Sequence, residues 1–123
     1  MVVRVLRVVL VLPFNDSLKG KRSVVKSLVE RARTRFHVAS AEVGDLDAHK
    51  RATLGFAVVS NDARHAQSIL DKLVGFIAGA GEAQLVDRSI TIEHYDLGAG
   101  VSALGGDHWN PPDWDDEDGD DEG

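Results

Sequence analysis

The residues best suited to do chemistry stand together near the amino terminus. Lys19, Lys21 and Arg22 fall within four positions just after Ser17, a residue type that caps helices. If Ser17 starts a helix, its first turn carries three cations. The positive end of the macrodipole disfavours each of them by about 0.3–1 kcal/mol. An anion bound at that point would offset the cost, held by free backbone N–H groups and by the side chains. At about 100° per residue, Lys19, Arg22, Lys26 and Arg33 share one flank, within roughly 60° of each other. The candidate anion- or RNA-binding set is therefore Lys19, Lys21, Arg22, Lys26 and Arg33. A structural alternative stands beside it: Asp45 and Asp47 neutralise the turn, and the basic stems cover the border of an apolar stripe.

Other constellations carry less. Ser60, Asn61 and Asp62 form a polar triplet that reads as a helix cap. Gly55-Phe56-Ala57-Val58-Val59 has the outline of an RNA-recognition-motif strand, but Leu54 replaces its leading base, and Val58 and Asn61 replace its later aromatics. Phe56 is accordingly assigned to the core. The five histidines (37, 49, 65, 94 and 108) include no pair at the i, i+4 spacing of a helical zinc site. Asp45, Asp47 and His49 alternate in a polar loop, read as solvated. Asp116, Asp118 and Gly119 mimic part of a calcium loop, yet Trp114 would hold its first position. There is no cysteine, no G-x-S-x-G and no phosphate-binding loop motif. The expectation is no cofactor, no metal and no catalytic residue, and nothing in the sequence supports an enzyme.

Charge is segregated along the chain. Residues 1–35 hold nine Lys/Arg against two acids, whereas residues 107–123 hold nine Asp/Glu and no base. The overall charge of −6 thus combines a body of +3 with a tail of −9. A basic face suggests an anionic partner, and an attached acidic tail can compete for that face. The absence of cysteine excludes a disulfide framework. No uninterrupted apolar run approaches the roughly 20 residues that span a bilayer, so a cytoplasmic protein without a membrane partner is expected.

The elements that must position these residues follow from periodicity. Val2–Leu12 is apolar on both faces, as a central strand is. Leu18, Val25, Leu28, Val29, Ala32 and Phe36 make one helical stripe. His37–Val43 and Arg51–Ser60 read as a hairpin. Ala66, Ile69, Leu70, Leu73 and Ile77 form a second helical stripe, closed by Gly79 and Gly81. From Gln84 to Tyr95, Val86, Ile90 and Ile92 alternate with polar residues, as in an edge strand. The order βαββαβ predicts an α+β, ferredoxin-like sandwich: a four-stranded antiparallel sheet of order 4-1-3-2 with both helices on one face. Residues 1–96 form that domain, and residues 97–123 are expected to be a flexible Gly-rich spacer and an acidic disordered tail carrying Trp109 and Trp114.

Several segments match a known pattern. Ser17-Leu18-Lys19-Gly20-Lys21-Arg22, Val24-Val25-Lys26-Ser27-Leu28, Ala41-Glu42-Val43 and Leu54-Gly55-Phe56-Ala57-Val58-Val59-Ser60-Asn61-Asp62 resemble the YlxP-like family of small bacterial proteins. The resemblance covers roughly residues 1–96. It implies a ferredoxin-like fold and a bacterial cytoplasmic protein encoded among genes for translation initiation and ribosome maturation. It carries no established activity and no agreed catalytic residues. Where the family pattern has Trp in the hairpin loop, this chain has His49.

Three functional readings follow. In the first, the chain is a non-catalytic, RNA- or ribosome-associated module that contacts phosphate through helix 1. In the second, it is a protein-interaction or homodimerising module that uses the open sheet face, where strand 1 supplies apolar residues and the edge strands supply Ser40, Glu42, Asp87 and Thr91. In the third, it is an enzyme on small phosphorylated substrates, for which only Asp45, Asp47 and His49 are at hand. The tail leaves the sheet at the end nearest Arg31, Arg33 and Arg35, within reach of the protein's own basic face, and could equally meet a partner protein.

Overall fold

A computed structural model of the chain describes residues 1–96. The proposed spacer, the acidic tail with its two tryptophans and the calcium-like stretch lie outside the described residues. Six elements follow in order: β1 (Val2–Val11), α1 (Leu18–Phe36), β2 (Ala39–Gly44), β3 (Arg51–Ser60), α2 (Ala63–Ala78) and β4 (Gln84–His94). All strand pairs are antiparallel, in the order β2-β3-β1-β4, which reads 4-1-3-2 when counted from the β4 edge. The fold is α+β, an open four-stranded sheet with two helices.

The register sorts the side chains into two faces. Leu6, Val8 and Leu10 of β1 stand opposite Phe56, Leu54 and Ala52 of β3. These six are buried together with Val25, Leu28, Val29 and Ala32 of α1 and Ala66, Leu70, Leu73, Val74 and Ile77 of α2. Both helices therefore cover the same face. Burying each large aliphatic side chain contributes about 1.5–3 kcal/mol, so the two stripes are what attach the helices to the sheet. On the opposite face, Val5 is paired with Ala57 on one side and Thr91 on the other, and remains exposed.

Three local expectations change. First, β2 begins at Ala39, because His37 takes a left-handed conformation (φ 55°) and returns its N–H to the Arg33 carbonyl, ending α1. Second, Ser40 and Glu42 pair with Phe56 and Leu54, which turns them toward the helices and not onto the open face. Asp87 and Thr91, opposite Val9 and Val5, do lie on the open face. Third, a bulge in β4 between the partners of Val9 and Leu10 leaves Val86 exposed and gives the half-buried place to Leu85. The second helix is capped by Asp62, whose carboxylate accepts from the Arg64 and His65 N–H groups, while the Ser60 hydroxyl accepts from Asp62 N–H.

The entry to α1 depends on a glycine. Ser17 caps the helix by accepting from the Gly20 N–H at 3.0 Å. The Asn15 amide donates to the Ser17 carbonyl at 2.7 Å and to the His49 carbonyl at 2.6 Å, joining the β1–α1 and β2–β3 loops. A Cβ at Gly20 would collide with the Asn15 side-chain oxygen. A helical Gly→Ala change ordinarily gains about 0.5–1 kcal/mol. Gly20→Ala should instead lose about 1–2 kcal/mol by displacing the Asn15 amide from its two acceptors. Urea melts should show that loss, and in an Asn15→Ala background the penalty of Gly20→Ala should disappear.

Candidate functional site

At the end of the sheet where α1 starts, one lysine is turned inward. Lys21 is fully buried. Its ammonium donates to the carbonyls of Asp45 at 2.6 Å, Leu46 at 3.3 Å and Arg51 at 3.3 Å, which uses all three protons. Glu42 Oε2 lies 3.0 Å from Nζ and supplies the opposite charge. That buried oxygen has no aligned hydrogen bond of its own, so the pair is held by charge and by enclosure. The same end is tied further by Lys50, which donates to the Pro13 and Asn15 carbonyls at 3.1 and 2.7 Å.

This arrangement corrects the expected anion set. Lys21 does not share the surface with Lys19 and Arg22; it is consumed by the β2–β3 loop. The loop does reach the helix start as the structural alternative held, but through backbone carbonyls and Glu42, not through the Asp45 and Asp47 carboxylates. Sequence alone hid this because Glu42 seemed to face the open side. Lys19, Arg22 and Lys26 are exposed, and among the described residues no acid lies within ion-pair distance of them. Arg33 is exposed too, but its guanidinium donates to the Ser40 carbonyl at 2.7 Å and pins the end of α1 to β2. The first turn of α1 contains no acidic residue.

Sequence reasoning passed over Phe14. It sits in the β1–α1 loop, between Pro13 and Asn15 and five residues before Lys19, with 97% of its surface exposed. Its position before a polar turn was the available signal, since an aromatic there has no stripe to join. A second cluster was also missed. Arg31 and Arg35 lie over the Phe76 ring at 5.3 and 5.5 Å, Arg35 also lies 5.5 Å from the Phe36 ring, and the two rings are 5.7 Å apart. Arg31 and Arg35 flank an open groove of about 590 Å³ along α1.

One of the loop acids, Asp45, has settled partners. Asp45, at φ 60°, accepts from the Thr53 hydroxyl at 2.6 Å and from Arg51 at 3.3 Å. The Thr53 hydrogen bond, opposed by partial desolvation and aided by Arg51 and Lys21, holds the Asp45 carboxyl below its ordinary value of 3.8. Among the described residues, no group of three or more His, Cys, Asp or Glu gathers to hold a metal. No described helix is long and apolar enough to cross a membrane.

Two outcomes test this geometry. Lys21→Met leaves three carbonyls and Glu42 uncompensated in a buried site and should cost about 3–5 kcal/mol. Lys19→Gln and Arg22→Gln should each stay within about 0.5 kcal/mol of the parent in the same chemical melts. Thr53→Val tests the acid side. A carboxyl depressed in the folded state contributes stability above its unfolded value and loses it as pH falls through the folded value. The variant should therefore be less stable than the parent at neutral pH, with the difference closing below about pH 3.8 as Asp45 protonates.

Comparison with known proteins places this geometry in a family. Residues 3–90, from β1 to the middle of β4, match the family described as "Protein of unknown function (DUF503)". The chain is also 33% identical over 75 residues to "Uncharacterized protein YlxP" of Bacillus subtilis (strain 168), covering 61% of this chain and 78% of that protein. The Lys21–Glu42 pair and the loops around it fall inside the family span. The chain belongs to the DUF503 family, of which the YlxP-like proteins are part.

Proposed function

We propose that the chain is a non-catalytic binding module of ferredoxin-like type that contacts the phosphate backbone of single-stranded RNA at the start of α1. The observation that carries this reading is the combination of uncompensated cations with an exposed aromatic: Lys19, Arg22 and Lys26 without acidic partners among the described residues, and Phe14 in the loop that leads into the same helix. Cations track a phosphate backbone, and a free ring offers a stacking surface to any base. Lys21 is no part of this surface. Its place is to hold the loop end against the helix, so that the surface residues project from a fixed frame. A cytoplasmic, ribosome-associated setting is the corresponding biological proposal.

A second reading is favoured by the opposite face. Val5, Val43 and Val59 are exposed by 39, 57 and 63% on or beside the uncovered side of the sheet, with Ala57 between Val5 and the β2 edge. A protein partner or a second copy would cover that apolar strip.

A triple variant, Lys19→Gln/Arg22→Gln/Lys26→Gln, separates the readings. If all three cations contact phosphates of a single strand, the log–log salt slope of RNA binding should shrink by about 2. Phe14→Ala should weaken binding by about 1–3 kcal/mol with little change in that slope. Thermal melts should show both variants folded. RNA affinity and salt slope unaltered in the triple variant would turn the assignment to the sheet face.

A further inference from the structure

The groove along α1 shares Lys26 with the proposed RNA surface but otherwise lies further along the helix, and its chemistry fits a segment of this same chain. We propose that it docks residues 109–118, the acidic stretch with two tryptophans. The groove runs beside Ser23, Ser27 and Glu30, with Lys26, Arg31 and Arg35 as its cations and Phe76 of α2 as its aromatic wall. Arg31 and Arg35 already lie over that ring while they stay exposed. A guanidinium placed over one ring can also meet an indole from its free side, where cation–π attraction adds to apolar burial. Three bases against one acid leave the groove positive. Residues 109–118 bring Trp109, Trp114, five acids and no base. Glu30 is the one groove charge that opposes them.

Length and place agree with the charge. The domain hands the chain on at Tyr95, whose N–H donates to the Met1 carbonyl at 2.8 Å. That is the end of the sheet toward which α1 finishes, since β2 starts at Ala39 opposite Ala57. Twelve residues lie between Asp96 and Trp109, four of them glycine. By the scaling for Gly-rich linkers, that number of residues would reach about 20 Å. Trp109 and Trp114 are five residues apart around Pro111 and Pro112, a step of about 16 Å in polyproline II form. The groove from Ser23 to Arg35 measures about 18 Å at the helical rise. Two indoles can thus occupy it lengthwise while the intervening acid meets Arg31 or Lys26. The inference does not depend on RNA binding at the helix start.

The test reads the tail directly, because Trp109 and Trp114 are the two tryptophans of the chain. Tryptophan emission and acrylamide quenching of the full chain at low salt are compared with those of a synthetic peptide of residues 97–123. A short tether gives an effective concentration on the order of millimolar, so even a millimolar contact is half-occupied and should lower quenching by about two-fold. Emission should also shift to the blue. At about 1 M salt, where the screening length is about 3 Å, much of the protection should vanish. Arg31→Glu/Arg35→Glu in the full chain should bring both readings to the peptide values, with circular dichroism confirming the fold. The tail variant Asp113→Asn/Asp115→Asn/Asp116→Asn, which leaves the domain untouched, should weaken protection as well. Quenching equal to the peptide's in the parent chain overturns the proposal, as does full protection in both variants. Protection that fades on dilution overturns it in favour of docking onto a second copy.

Discussion

A buried ammonium is the constraint on which the site end of this molecule rests. Taking the charge of Lys21 out of water is expensive, and only a complete shell repays it. Two carbonyls of the β2–β3 loop and one at the start of β3 take its protons, and Glu42 from β2 neutralises it. The shell draws on α1, β2, the loop and the start of β3, so none of these can move without exposing or orphaning the charge. Asp45 adopts its left-handed backbone within that same loop, and Thr53 and Arg51 hold its carboxylate, so that its own carbonyl is turned to the lysine. The positions of the exposed cations follow from this anchor and not from any contact of their own.

Legibility in the sequence divides along the same line. The sheet and helices were readable because their signal is repetitive: Val and Leu on both faces of β1, and stripes of aliphatic residues in α1 and α2 that pack as periodicity expects. Ser17 was readable as a cap because its partner is three residues away. Lys21 was not, since a lysine among lysines in a first turn looks like surface, and its partners lie 21 to 30 residues further on. The face of Glu42 depends on the register of β2, which a short strand with a bulge between Glu42 and Gly44 does not declare. Arg31 and Arg35 were assigned charge alone, whereas their arrangement comes from Phe76 in another helix.

Helix α1 thereby does three separate jobs with one type of residue. Lys21 closes the inside, and Arg33 ties the helix to β2 through a carbonyl. Lys19, Arg22 and Lys26 stay free at the start, while Arg31 and Arg35 lie on aromatic rings toward α2. Counting basic residues would merge these into one patch. Burial, hydrogen-bond partner and ring contact separate them, and each separated group responds to a different perturbation: dehydration of the interior, ionic strength, or loss of an aromatic wall.

The placement of β1 has a consequence for how the protein is made. Of the four strands β1 is synthesised first, yet it lies inside the sheet, and its neighbours are β3 and β4, which end at residues 60 and 94. Neither edge of β1 can be satisfied by anything local. At about 5–20 residues per second, the nascent chain carries this Val- and Leu-rich strand with at least one edge unpaired for several seconds, until β4 has been synthesised. Pairings of such long sequence separation also slow the closing step itself. A strand that ends inside the finished sheet is thus the one most exposed to misassociation and to chaperone capture during synthesis.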